Sequence, residues 1–123
     1  MYTLAVEMKF ASAHQLRGYM GKCENLHGHS WKVQVSVTSQ KLNEIGLAMD
    51  FTELKRITNE IVGPLDHTCL NSVAPFTDIN PSSENIARWI FNSMKQKLPG
   101  YEVKLKSVTV WESDTASATY AEE

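Results

Sequence analysis

The sequence has 123 residues, 42% of them apolar and 21% charged, with 12 Lys and Arg against 14 Asp and Glu for a formal net charge of −2. A chain of that length buries roughly two thirds of its unfolded surface, so it supports one globular domain whose core needs no staples, and a metal site in it serves chemistry. Disordered, collagen-like and disulfide-scaffold classes are excluded, and the near-balanced charge argues against a surface built to hold a phosphate backbone. Two cysteines, Cys23 and Cys69, and a start, Met1-Tyr2-Thr3-Leu4-Ala5, without signal-peptide character predict a reducing, cytoplasmic setting. No apolar run approaches the roughly 20 residues of a membrane-spanning helix.

From Tyr2 the even positions Leu4, Val6, Met8 and Phe10 are apolar and Thr3, Glu7 and Lys9 are polar, the period-two alternation of a strand with one buried face. After a Gly-containing polar stretch over 17–25, Trp31, Val33, Val35 and Val37 alternate with Lys32, Gln34, Ser36 and Thr38 as a second strand. Asp50 stands where a helix N-cap belongs, with Glu53 three residues on as in a capping box. Phe51, Leu54, Ile57 and Ile61 then recur at helical spacing up to Gly63-Pro64. A second helix starts after Pro81, capped by Ser82 or Ser83, with Ile86, Trp89, Ile90, Met94 and Leu98 on one face, and stops at Pro99-Gly100. Tyr101, Val103 and Leu105 are odd and apolar, but Val108 and Val110 are even, so the strand pattern changes phase at Lys106-Ser107, which predicts a bulge. The segment 115–120 suits a hairpin return. Strand, strand, helix, helix, strand, strand is an α+β order: an antiparallel sheet with two helices on one face.

The chemistry concentrates around the first hairpin. In an extended chain residues two apart project to one face, so His27-Gly28-His29 can aim two imidazoles at one point, with Gly28 leaving room between them. His-Gly-His alone is an easy chance tripeptide. A third histidine, His14, at the end of the neighbouring strand turns the pattern toward a metal: three imidazoles with an open fourth position are the arrangement of catalytic zinc.

Cys23, four residues before His27 and next to Lys22, reads either as a fourth ligand that would close a structural site or as a thiolate beside the metal. Cys69 reads as a small buried apolar group. Asp66-His67 is by default a hydrogen-bonded turn; beside Cys23 it would become a proton shuttle, the carboxylate fixing the imidazole's tautomer. Glu112, ending an otherwise apolar run, is either a solvated strand end or the partner of a guanidine-like ligand edge, such as that of a pterin or purine.

Taken in order, Phe10-Ala11-Ser12-Ala13-His14, Cys23-Glu24-Asn25-Leu26-His27-Gly28-His29, Met49-Asp50-Phe51, Leu65-Asp66-His67, Leu70-Asn71, Pro81-Ser82-Ser83-Glu84-Asn85 and Trp111-Glu112 resemble the 6-pyruvoyltetrahydropterin and 6-carboxytetrahydropterin synthase family. The resemblance runs nearly end to end. It implies a tetrahydropterin-synthase-type fold (T-fold), three subunits joining their sheets into a barrel and two trimers stacking as a homohexamer with pockets between subunits. It implies zinc on His14, His27 and His29, proton handling by Cys23, Asp66 and His67, a pterin anchored by Glu112, and Ser82 and Ser83 near the pterin ring. Ser82 and Ser113 stand where the family commonly has Thr, and both keep the hydroxyl.

The spacing Cys-x-x-x-His-Gly-His resembles the branch that forms 6-carboxytetrahydropterin in queuosine and deazapurine biosynthesis, releasing acetaldehyde and triphosphate from 7,8-dihydroneopterin triphosphate. The 6-pyruvoyl branch would use the same residues and stop before carbon–carbon cleavage. From another class comes a structural zinc module closed by Cys23, in which chelation unfolds the domain. Arg17, Lys22, Lys55, Arg88, Lys104 and Lys106 are candidate triphosphate partners, each equally an ordinary solvated surface group.

Overall fold

The computed structural model describes residues 1–18 and 25–122. Two long strands, β1 (Tyr2–His14) and β2 (His27–Ser39), pair antiparallel along their whole length, from Tyr2 opposite Ser39 to His14 opposite His27. Helix α1 (Phe51–Val62) and a 3-10 turn (Gly63–Leu65) lead to a two-residue strand, β3 (Thr68–Cys69). Helix α2 (Ser83–Lys97) and the hairpin β4 (Lys104–Ser113) and β5 (Ala116–Tyr120) complete the chain, and the sheet runs β3-β1-β2-β4-β5.

The alternation in the sequence decides which face is covered. Val6 and Phe10 on β1, and Trp31, Val33, Val35 and Val37 on β2, are buried against Leu54, Ile57 and Ile61 of α1 and Ile86, Ile90, Phe91 and Met94 of α2. Each such side chain removed from water contributes about 1.5–3 kcal/mol. Helix α1 packs on β1, α2 on β4 and β5, and the two helices touch each other. This is the expected α+β layering. Among the described residues no helix is long and apolar enough to cross a membrane.

The change of phase in the last strand is a bulge. Ser36 faces Ser107 and Val37 faces Leu105, so Lys106 has no opposite number on β2. Leu105 therefore packs on the core from an odd position, and Val108 and Val110 are buried from even ones.

Four details depart from the sequence reading. The sheet gains a short parallel partner, with Ser12 opposite Thr68 and Ala13 opposite Cys69, so it is mixed at that edge. Cys69 is consequently part-exposed at the sheet margin rather than fully buried. At the start of α1, Asp50 accepts from the Thr52 amide at 2.8 Å as the cap, but Glu53 accepts from Arg56 and, at 2.6 Å, from the Tyr101 hydroxyl instead of closing a capping box. Phe51, the first helical residue, overhangs the core and is 54% exposed.

Candidate metal centre

The core-facing side of the sheet changes chemistry at one end. On β1 the buried face runs Val6, Phe10, Ser12 and His14; on β2 it runs back from Val33 through Trp31 to His29 and His27. Register places His14 directly opposite His27, and Ser12 opposite His29. Because the bulge has put the even residues of β4 on the covered face, Glu112 continues the line of Val108 and Val110 into the same corner. The completely buried Trp31 supports the corner from below. Its ring meets those of His14 and His29 edge-on, with centroids 4.9 and 5.3 Å away, and its Nε1–H donates to the Ser12 carbonyl at 3.1 Å.

The hydrogen bonds of the imidazoles fix where their lone pairs point. His14, 1% exposed, has Nδ1 2.7 Å from the Pro81 carbonyl, and His27 has Nδ1 2.7 Å from the Asn25 carbonyl. A carbonyl only accepts, so both Nδ1 atoms carry the proton and, in the neutral rings, both Nε2 atoms are bare. Those two bare nitrogens face each other at 3.1 Å. Without a further proton or a cation this is a repulsive contact; with a cation between them it is a pair of ligands oriented by outer carbonyls. Burial holds the His14 pKa below its ordinary value, opposed by the Pro81 carbonyl and Glu112, which favours the neutral, ligating form.

His29 adds a third nitrogen. Its Nε2 is buried with no hydrogen-bond partner, although Glu112 Oε1 lies only 2.9 Å away, so the two atoms touch without alignment for a shared proton. Glu112 Oε1 is also 3.9 Å from His14 Nε2. Ligand atoms of His14, His27, His29 and Glu112 all lie within 4.8 Å of one another. Three converging imidazoles, one with an orphaned, buried nitrogen, and a carboxylate alongside fit a zinc ion, which takes nitrogen and oxygen ligands tetrahedrally.

The start of α2 serves this corner. Ser82 accepts from the Asn85 amide at 3.1 Å as the helix cap, and Ser83, nearly buried, donates to Glu112 Oε2 at 3.3 Å. Between them, Ser83, Glu84, Glu112, Ala116, Ser117 and Ala118 line a cleft of about 270 Å³. Pockets that enclose small molecules run to roughly 300–1,000 Å³, so the described residues form a partial enclosure.

Asp66 and His67 lie elsewhere, on the outer margin of β1. They clamp Ala11 from both sides: the Ala11 amide donates to Asp66 Oδ1 at 2.8 Å, and the His67 amide donates to the Ala11 carbonyl at 2.7 Å. His67 has φ 54, the left-handed region, at a cost of about 1–3 kcal/mol that such a clamp sustains. Its ring is 84% exposed, with Nε2 3.5 Å from Asp66 Oδ2. The structure makes the Asp66–His67 pair but does not bring it into the histidine corner of the same chain. Cys23 and Lys22 lie outside the described residues.

Among the proposed triphosphate partners, Arg17 is already engaged: its guanidinium donates to the carbonyls of Phe76 at 2.8 Å, Ile79 at 3.3 Å and Asn71 at 3.5 Å. Asn80 pairs with the Arg17 backbone in both directions at 2.9 Å, and Asn71 does the same for Gln15 at 2.8 and 2.9 Å, so two side-chain amides extend the β1 edge past His14. Lys104 begins β4, at the opposite end from Glu112. The sequence reading missed the Pro81 and Asn25 carbonyls, which are backbone groups with no side-chain signature. Trp31 lies on the face that the alternation assigns to the second strand, and the structure adds that this face sets its ring beneath the imidazoles.

The family described as 6-pyruvoyl tetrahydropterin synthase matches residues 3–123. A Synechocystis protein named 6-carboxy-5,6,7,8-tetrahydropterin synthase is 40% identical over 98% of this chain and 93% of its own. A Pyrococcus furiosus protein named dihydroneopterin monophosphate aldolase is 37% identical, over 85% of this chain and 84% of its own. The solved Caenorhabditis elegans 6-pyruvoyl tetrahydropterin synthase superposes with a TM-score of 0.85 at 25% identity, covering 99% of this chain and 96% of that one. With the sheet, the two helices and the histidine corner in place, the chain belongs to the 6-pyruvoyl tetrahydropterin synthase family.

Proposed function

We propose that the protein is a zinc-dependent 6-carboxy-5,6,7,8-tetrahydropterin synthase, a lyase that converts 7,8-dihydroneopterin triphosphate to the 6-carboxy product with release of acetaldehyde and triphosphate. The observation that carries this reading is the His14–His27 contact, two imidazoles whose Nδ1 protons are both claimed by carbonyls and whose Nε2 atoms converge at 3.1 Å. The near full-length Synechocystis relative bearing that name supports the product assignment, as does the Cys-x-x-x-His-Gly-His spacing. The corresponding place is queuosine and deazapurine biosynthesis in the cytoplasm.

His14, His27 and His29 would hold the zinc ion, which when bound supplies Lewis-acid polarisation of the substrate's side-chain oxygens and so acidifies the neighbouring C–H bonds. Glu112 receives the guanidine-like edge of the pterin through two parallel hydrogen bonds, and Ser83 holds that carboxylate in place. Ser82 fixes the start of α2 beside it. Cys23, as thiolate, takes the proton from the substrate side chain, and His67, oriented by Asp66, relays protons. Since His67 is exposed on the margin of β1, it serves the corner of a neighbouring subunit in a homohexamer of two trimers. The β1 edge supports that assembly: β3 covers only Ser12 and Ala13, leaving the strand from Tyr2 to Phe10 unpaired on that side among the described residues, an edge that needs cover.

A second reading is favoured by the family match and the Caenorhabditis elegans fold: 6-pyruvoyltetrahydropterin synthase, with triphosphate elimination and no carbon–carbon cleavage. Incubating the zinc-loaded protein anaerobically with 7,8-dihydroneopterin triphosphate, and identifying the pterin by mass alongside an acetaldehyde assay, separates the two. A 6-carboxy product with acetaldehyde is expected; a 6-pyruvoyl product without it moves the protein to the second reading. No pterin product, with a domain that unfolds on chelation, makes the zinc structural. Cys23→Ala should retain zinc and lose turnover, and loss of zinc from that variant would make Cys23 a ligand instead.

A further inference from the structure

The acceptor that fixes the His14 ring belongs to no strand or helix. Pro81 lies in the stretch 73–82, between the 3-10 turn Leu70–Ser72 and α2, which turns on itself through the Phe76 amide to the Val73 carbonyl at 2.7 Å and the Asp78 and Ile79 amides to the Pro75 carbonyl at 3.0 and 3.1 Å. Such a loop needs outside anchors to keep one carbonyl on one ring nitrogen. The Phe76 ring is fully buried against Trp89 of α2, with centroids 5.7 Å apart, and the Arg17 guanidinium gathers the carbonyls of Asn71, Phe76 and Ile79. Asn80 is held from two sides. Its side chain accepts from the Arg17 amide and donates to the Arg17 carbonyl, both at 2.9 Å, and its own carbonyl accepts from Asn85 Nδ2 of α2 at 2.9 Å.

Asn80 directly precedes Pro81, and Arg17 stands three residues past His14, so this two-way clamp ties the segment bearing the acceptor to the segment bearing the donor. We propose that Asn80 is a positioning residue for the metal centre: through its clamp on Arg17 it holds the Pro81 carbonyl on His14 Nδ1, which keeps the ring proton there and Nε2 bare for the ion. The placement stands on the hydrogen bonds; its value to the ion rests on the zinc reading above. A neutral imidazole carries its proton on either nitrogen, and the bond that one of them makes decides which. The corner offers the proton a second home, because His14 Nε2 lies 3.1 Å from the bare Nε2 of His27 and could donate to it. That arrangement would close the corner without a cation and remove two ligands at once. A fixed Pro81 carbonyl opposes it by leaving a bare Nδ1 against an oxygen that only accepts. Asn71 makes the same kind of clamp on Gln15, at 2.8 and 2.9 Å, but stands ten residues before Pro81, and so serves as the matched control.

The experiment reads the ring nitrogens of the metal-free full chain by long-range proton–nitrogen correlation at a pH where the imidazoles are neutral, and then Zn²⁺ affinity by competition with a chromophoric chelator. In the parent, His14 should carry its proton on Nδ1. In Asn80→Ala a population protonated on Nε2 should emerge and Zn²⁺ should bind about tenfold more weakly, the low end of the loss seen when an outer partner of a ligand is removed. Circular dichroism should match the parent's. Asn71→Ala, which loses as many bonds, should keep the parent's tautomer and affinity. Should Asn80→Ala fail to fold, Asn80→Asp makes the same test: it still accepts from the Arg17 amide but has nothing to donate to the Arg17 carbonyl, and the same shifts are expected. An Asn80 variant with the parent's tautomer or the parent's affinity overturns the proposal. So does an equal loss in Asn71→Ala, which would make Asn80 one support of the fold among others. A tautomer shift in the Asn80 variant, in a protein whose parent binds no Zn²⁺, leaves the placement standing and brings down the zinc reading.

Discussion

Two groups of ionisable side chains, at different places on the same fold, are built on opposite rules. On the surface of α1 and beyond, Glu53 accepts from Arg56 and Tyr101, Arg56 also reaches Glu60, and Glu60 accepts from Lys97 at 3.0 Å. Every charge there has an opposite charge or a donor. In the strand-end corner, His14 and His27 turn bare nitrogens on each other, and His29 has a buried nitrogen with no partner. The surface network is complete as it stands. The corner needs a further proton or a cation to be complete, and that incompleteness, rather than the presence of titratable residues, is what makes it the candidate centre.

Substitutions should separate the two. The largest effect falls on the corner: His14→Ala removes a proposed ligand and leaves the buried Pro81 carbonyl without its donor, and turnover should fall below detection while Arg56→Ala leaves it unchanged. Steady-state assays on the two variants measure this. Next, His67→Gly accepts the left-handed backbone without strain and keeps the amide bond to Ala11, so its Tm should equal or exceed the parent's. Turnover should nevertheless drop about 10²–10⁴-fold, the share of a proton-relay group; unchanged turnover would make the Asp66–His67 turn purely structural.

Smaller effects sharpen the contrast. Trp31→Phe keeps a ring beneath the imidazoles but removes the Nε1–H donor to the Ser12 carbonyl, which should cost about 0.5–1.5 kcal/mol in urea unfolding. Smallest is a pH effect in the surface network. Arg56 and the Tyr101 hydroxyl hold the Glu53 pKa at about 2, below its ordinary value, so its stabilisation is present above the unfolded carboxyl's pKa and is lost as pH falls through about 2. The difference in Tm between the parent and Arg56→Ala should therefore be flat above about pH 5 and shrink toward acid.

Much of this was legible in the amino-acid order because strands write their faces in period two. The alternation through Val6 and Phe10, carried on to His14, and the run from Trp31 back to His27, tell which side chains share a face. The odd-to-even change between Leu105 and Val108 tells that Glu112 joins them, since a strand without the bulge would have turned it outward. The strand β3 was not legible: two residues, Thr68 and Cys69, pair only because a 3-10 turn delivers them to Ser12 and Ala13, and two residues carry no periodicity. Glu53 reads as half of a capping box until Arg56 and Tyr101, one turn away and across the fold, compete for it. The Pro81 carbonyl that sets the tautomer of His14 belongs to a loop 67 residues further along the chain, and no local pattern announces it.

The central claim is that the corner of His14, His27 and His29 is a cation site. Titrating the metal-free full chain with Zn²⁺, with bound metal counted per chain, tests it most directly. The account predicts one zinc per chain, lost in His27→Ala while the fold persists. A parent chain that binds no zinc, with His14 and His27 sharing a proton instead, would contradict it.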